Sequence, residues 1–231
     1  MKTSTVSPAR YLACVAVMTA VGTVLMYLEF SIPIMPGFIK FDFSELPPLI
    51  TAYALGPVAG SLVCLFKNLF HMIGTTTAGV GELSNFLLGI SLVIPVGCIY
   101  KFRKTRTSAA IGAVVGSVAM ALISLLVNYY ITYPFYAKAF MPMEQILAAY
   151  RAIYSGVDNL WEALAIFNLP FNIAKGWITA LLTFVLYKPL SPIIKGYGRH
   201  SRRVVAQSDC AAIHTDDQSA STPNDETNSN N

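Results

Sequence analysis

Long apolar runs separated by short polar punctuation fill most of the chain. Six can be marked, at residues 10–30, 46–55, 58–73, 83–100, 108–133 and 160–190. A helix crosses a bilayer with about 20 mainly apolar residues, fewer where it is short or partly interfacial. The pattern therefore predicts an all-α integral membrane protein with six transmembrane helices, the second of them short. The first run resembles a signal peptide in position. Its length and the spans that follow predict instead a retained first helix.

The breaks between runs are chemically distinct. Pro33 and Pro36 make SIPIMPGFIKFDF a poor helix. Gly56-Pro57 predicts a tight turn between the second and third runs, and Gly74 to Gly81 (GTTTAGVG) a loop of irregular backbone next to a ligand. Pro134 is expected to end the fifth run, with a loop of mixed polarity over 135–159.

Composition agrees with a membrane setting. The 231 residues are 55% hydrophobic and 12% charged, against roughly 25% charged in soluble domains. All 16 Lys and Arg lie at or before Arg203, with seven Asp and Glu; the remaining five acids follow it. Residues 191–231 read as a basic, then acidic, disordered tail, after a short N-terminal segment (1–9) and a membrane domain (10–190). Basic residues mark the cytoplasmic side. Lys2 and Arg10, then KFRKTR at 101–106, then 188–203 all fall on one side if six spans are counted. Both termini are thus expected in the cytoplasm, and the polar loops 31–45, 74–82 and 134–159 outside. Cys14, Cys64, Cys98 and Cys210 show neither a disulfide framework nor metal-ligand spacing, and neither metal nor cofactor is expected.

Charges in a membrane protein usually face a cavity, a partner or water. Lys40, Asp42, Glu45, Lys67, Asn68, His71 and Glu82 stand among apolar runs. Asp42 stands out because Phe41 and Phe43 flank it. Lys67 could pair with Glu82, bracing the loops, or with Asp42 or Glu45, or could touch substrate. Glu45 and Glu82 also suit helix N-termini. Asn128, Asn172 and Lys175 fall in or at the ends of the last two helices. Asn172 and Lys175 share a helix face; they could bind a ligand, cap a kink after Pro170 or pair with Glu162. Ala16 and Ala20 form a small-xxx-small pair, suited to internal packing or to docking another membrane subunit.

FIKFDFSELPPLITAYALGPVAG, KNLFHMIGTTTAGVGELSNFLLG and the late NIAKG (172–176) carry a resemblance to the substrate-binding S components of energy-coupling factor (ECF) vitamin transporters, most closely the riboflavin-binding type. It covers roughly residues 13–189. The resemblance implies a compact six-helix bundle in a bacterial plasma membrane, with a vitamin pocket near the outer face. It implies as partners a transmembrane coupling subunit and two ABC ATPases, besides the lipid bilayer, and no nucleic acid. Ala16 and Ala20 would then contact the coupling subunit. Asn128, Asn172 and Lys175 would meet the pyrimidine-dione edge of riboflavin, and Phe41 and Phe43 its apolar face. Asp42 and the 74–81 loop, with Thr76 and Gly79, would reach the ribityl hydroxyls, and Asn85 would complete the pocket.

Other readings remain at this point: an S component for thiamine, biotin or pantothenate, or a non-transport scaffold subunit. No G-x-x-x-x-G-K-[ST] loop, HExxH or serine triad occurs, so the chain is not expected to be an enzyme or to hydrolyse ATP by that route.

Overall fold

Gly56 turns the chain back on itself. Its φ of 104° lies where only glycine is comfortable, and Pro57 follows at the first helical position, where a missing N–H costs nothing. In the computed structural model, which describes residues 7–195, this turn joins α2 (Leu46–Leu55) to α3 (Pro57–His71) as a helical hairpin. Before it come α1 (Pro8–Tyr27) and two short strands, β1 (Phe30–Ser31) and β2 (Lys40–Phe41), paired antiparallel with Phe30 opposite Phe41. After it come α4 (Val80–Phe102) and α5 (Arg106–Val127), then α6 (Tyr133–Ala139), α7 (Met143–Arg151), α8 (Leu160–Ala163) and α9 (Leu169–Lys195).

All six apolar runs are helical. Five spans are long and apolar enough to cross a membrane: Pro8–Tyr27, Pro57–Gly74, Val80–Phe102, Arg106–Ala139 and Leu160–Leu186. The ten residues of α2 reach only about 15 Å at 1.5 Å per residue. Large apolar side chains cover the outside, Leu12, Val17, Val58, Leu122 and Leu181 among them, as lipid contact requires.

Two expectations need correction. Pro134 does not end the fifth helix, because the turn before it widens: the Tyr133 N–H donates to the Asn128 carbonyl, five residues back. This π segment, Asn128–Thr132, makes room for a ring that would strike the carbonyl of an α-turn. Leu164–Asn168 does the same before Pro170, with Leu169 N–H donating to Leu164. The 135–159 segment is likewise no open loop. It folds into α6 and α7, with Ile146 and Tyr150, one turn apart, buried against Met35, Tyr133, Leu164 and Phe167.

The core joins α2, α4, α5 and α9 through Leu49, Leu92, Val96, Met120 and Ala180. Small residues set the spacing. A Cβ on Gly60 would lie 2.7 Å from Val93 Cγ1 and 2.8 Å from both Ala52 Cβ and the Pro48 carbonyl oxygen. Gly60→Ala is thus an overpacking change, with an expected cost of about 1–3 kcal/mol; thermal unfolding in detergent should begin several degrees lower, and an unchanged transition would refute the close packing.

Candidate ligand-binding site

The helix ends converge. The C-terminal ends of α1, α3 and α5, the N-terminal ends of α4 and α9, and the strand before α2 all reach one cavity of about 440 Å³, within the range of small-ligand sites. The α4–α5 turn, with Lys101, Arg103, Lys104 and Arg106, connects the opposite ends of those helices.

Asp42, Thr76, Asn85, Asn128, Asn172 and Lys175 all line the cavity. Lys175 Nζ donates to Asp42 Oδ2 at 2.8 Å, and the Ser44 N–H donates to Asp42 Oδ1 at 2.7 Å. Burial alone would push the Asp42 carboxyl up; the Lys175 and Lys67 charges, with hydrogen bonds from Lys175 and Ser44, bring it down to about 2. Asp42 is therefore a carboxylate at any physiological pH. Lys175 pairs with Asp42 rather than Glu162, which accepts from the Asp158 N–H.

The asparagines are positioned by the π segments. Asn128 opens the first and Asn168 closes the second. Asn172 Nδ2 donates to the Asn168 carbonyl at 2.8 Å, leaving Asn172 Oδ1 without a partner among the described residues. The Asn128 side-chain amide has no protein partner among them either, although the residue is buried to 9% exposure. A buried amide that the protein leaves unpaired beside a cavity is ready for a ligand. Asn168 Oδ1 is engaged from behind by the Tyr150 hydroxyl at 3.3 Å. Burial raises that phenol above its ordinary value, so it stays a donor.

Phe41, Phe43 and Gly79 do not line the cavity. Phe41 is buried behind it, edge-on to Phe171 at 6.0 Å, and Phe43 packs on Phe41 at 5.2 Å. Successive strand residues face opposite ways, which separates the phenylalanines from Asp42. Phe41 still acts on the site from outside, with Lys175 Nζ 5.9 Å from its ring centroid. Gly79 is the N-cap of α4, at φ 84°. The apolar wall is built instead by Phe38, Tyr133, Tyr136, Phe140 and Phe171. Asn168, missed in the sequence, lies four residues before Asn172, a same-face spacing that could have revealed it.

Lys67 and Glu82 do not pair. Lys67 Nζ donates to Glu45 Oε1 and Ser44 Oγ, both at 2.7 Å, with Lys67 and Glu45 fully buried. Glu82 sits instead with His71 Nδ1 and the Thr77 hydroxyl, each at 2.9 Å. The α2–α3 hairpin decides the matter, since it lays residue 45 beside residue 67. Ala16 and Ala20 are exposed on α1, in a groove with Leu12, Thr23, Phe66 and Phe70; internal packing does not use them. Among the described residues no group of His, Cys, Asp and Glu could hold a metal ion.

Apolar helices around one polar-walled cavity define a multi-pass membrane protein built to bind a small molecule. Residues 10–187 match the family model described as ECF transporter, substrate-specific component, and the chain belongs to that family. It is 29% identical over 186 residues to the riboflavin transporter RibU of Staphylococcus aureus, covering 80% of this chain and 93% of that one. It is 28% identical over 190 residues to the riboflavin transporter FmnP of Bacillus subtilis, covering 80% and 94%. A solved structure described as the S component of a bacterial ECF transporter matches with a TM-score of 0.64 at 27% identity, over 81% of this chain and 98% of that one.

Proposed function

We propose that this chain is the riboflavin-binding S component of an ECF-type transporter in a bacterial plasma membrane. The observation that carries the reading is the cavity wall: two amide side chains with uncommitted atoms, Asn128 and Asn172, beside a fixed lysine, Lys175. The dione edge of a flavin alternates two carbonyl acceptors with an N–H donor. Amides, which offer both donors and acceptors, and an ammonium suit that edge. Phe38, Tyr133 and Phe171 would cover the ring faces. Asp42, Thr76 and Asn85 would take the ribityl hydroxyls.

Topology follows from the same arrangement. The domain over 10–190 crosses six times, with the α2–α3 hairpin supplying two of the passes. The basic α4–α5 turn lies at the end away from the cavity, which supports an outward-facing site and cytoplasmic termini. Energy comes from partners, a transmembrane coupling subunit and two ATPases.

Purification from cells supplied with riboflavin should yield yellow protein with a flavin absorbance spectrum and about one flavin per chain. Colourless protein that binds thiamine, biotin or pantothenate would overturn the assignment. Docking has its own test. Ala16→Leu with Ala20→Leu places bulk on the exposed α1 groove, so flavin binding should survive while uptake in cells with the energising subunits is lost. Undiminished uptake would remove these residues from the docking surface.

A further inference from the structure

Five side chains with full charge reach the cavity wall: Glu29, Lys40, Asp42, Glu82 and Lys175. Both lysines are already committed, Lys40 to Glu29 and Lys175 to Asp42. Glu82 has neither a lysine nor an arginine; its partners are the His71 ring and the Thr77 hydroxyl. With histidine counted neutral, the lining holds three carboxylates against two ammonium groups. No arginine lines it.

The usual backbone site for an anion is also filled. The N-terminus of α4 borders the cavity, and a free helix start there would attract phosphate. Here the chain caps it internally: Gly79 N–H donates to Thr75 Oγ1 at 3.4 Å and Gly81 N–H to Thr77 Oγ1 at 3.2 Å. Glu82 then places a carboxylate in the first turn, on the positive end of the helix dipole. The charge and the donors that would welcome a phosphate are both satisfied from within the protein.

We infer that Glu82 sets the charge selectivity of the site, admitting a flavin whose side chain ends in a hydroxyl and rejecting one that ends in a phosphate. This rests on the riboflavin reading, which places the polyol against the 74–82 segment. A hydroxyl donates to a carboxylate. A phosphate ester, near −2 at neutral pH, is repelled by it across a partly dehydrated cavity, where screening is weak. The discrimination is electrostatic rather than steric.

The test measures affinities of the purified full chain for riboflavin, riboflavin 5′-phosphate and the neutral 5′-acetate. The protein should bind riboflavin at least about tenfold more tightly than the phosphate, with the acetate close to riboflavin. Glu82→Gln should narrow the riboflavin-to-phosphate ratio severalfold, chiefly by improving phosphate binding. Thr76→Lys adds a cation to an exposed lining position without touching Glu82, and should narrow the ratio too, so the test survives if Glu82→Gln folds poorly. Equal loss of both ligands in Glu82→Gln, or an acetate rejected as strongly as the phosphate, would overturn the selectivity claim while leaving riboflavin binding standing. Binding of no flavin at all would overturn both readings.

Discussion

Lys175→Ala is expected to bind riboflavin one to two orders of magnitude more weakly while remaining folded. The size follows from two losses. A hydrogen bond from a charged donor is worth about 1.5–3 kcal/mol, roughly a ten- to hundredfold change in affinity. Asp42, buried and paired to Lys175 at 2.8 Å, is also left facing the ligand without its cation. Asp42→Asn combined with Lys175→Met separates these effects: it removes both charges, so it should recover stability but not affinity. The pair also makes a pH statement. The Asp42 carboxyl lies at about 2 when folded and near 3.9 when unfolded. Its stabilising contribution is therefore complete above about pH 4 and fades as pH falls toward 2. Binding should be level between about pH 5 and 8 as far as this group is concerned. Isothermal titration across that range would expose an error as a slope.

Lys67→Met should give the largest loss of stability. It strands Glu45, fully buried and held at 2.7 Å by the Lys67 ammonium. Removing one member of such a pair costs about 3–5 kcal/mol, a large share of the roughly 5–15 kcal/mol that holds a typical domain together. Poor recovery and early thermal unfolding in detergent are the expected readouts. Glu45→Gln with Lys67→Met should restore most of the loss, since no charge is then unpaired. The room for this pair is built in: a Cβ on Gly89 would lie 2.7 Å from Glu45 Oε2, and one on Gly22 would lie 3.5 Å from Lys67 Cδ. A single variant as stable as the parent would mean that water or lipid already compensates Glu45.

Much of the membrane architecture could be read from the chain, because lipid leaves few alternatives to an apolar helix. The short, amphipathic α7 was hidden because its nine residues carry too few apolar positions to register beside the spans. The polar wall was legible at Asp42, Asn128, Asn172 and Lys175, since charge and amide in apolar surroundings must face something. Their pairing was not. Asp42 and Lys175 are 133 positions apart, and Lys67 had carboxylates on both sides along the chain, with only the hairpin to choose between them. Phe41 and Phe43 looked like ligand contacts by adjacency to Asp42, yet strand alternation carries them behind the wall.

Each π turn amounts to one surplus residue lodged in a continuous helix. Deleting a single residue between Leu164 and Phe167 would let the helix relax to ordinary α geometry, with hydrogen bonding kept. It would also rotate everything beyond that point by about 100° relative to what precedes it. Asn172 and Lys175 would swing away from Asn128 and Asp42 without any change in their identity. Recognition here thus depends on the count of residues in a helix as much as on which residues they are.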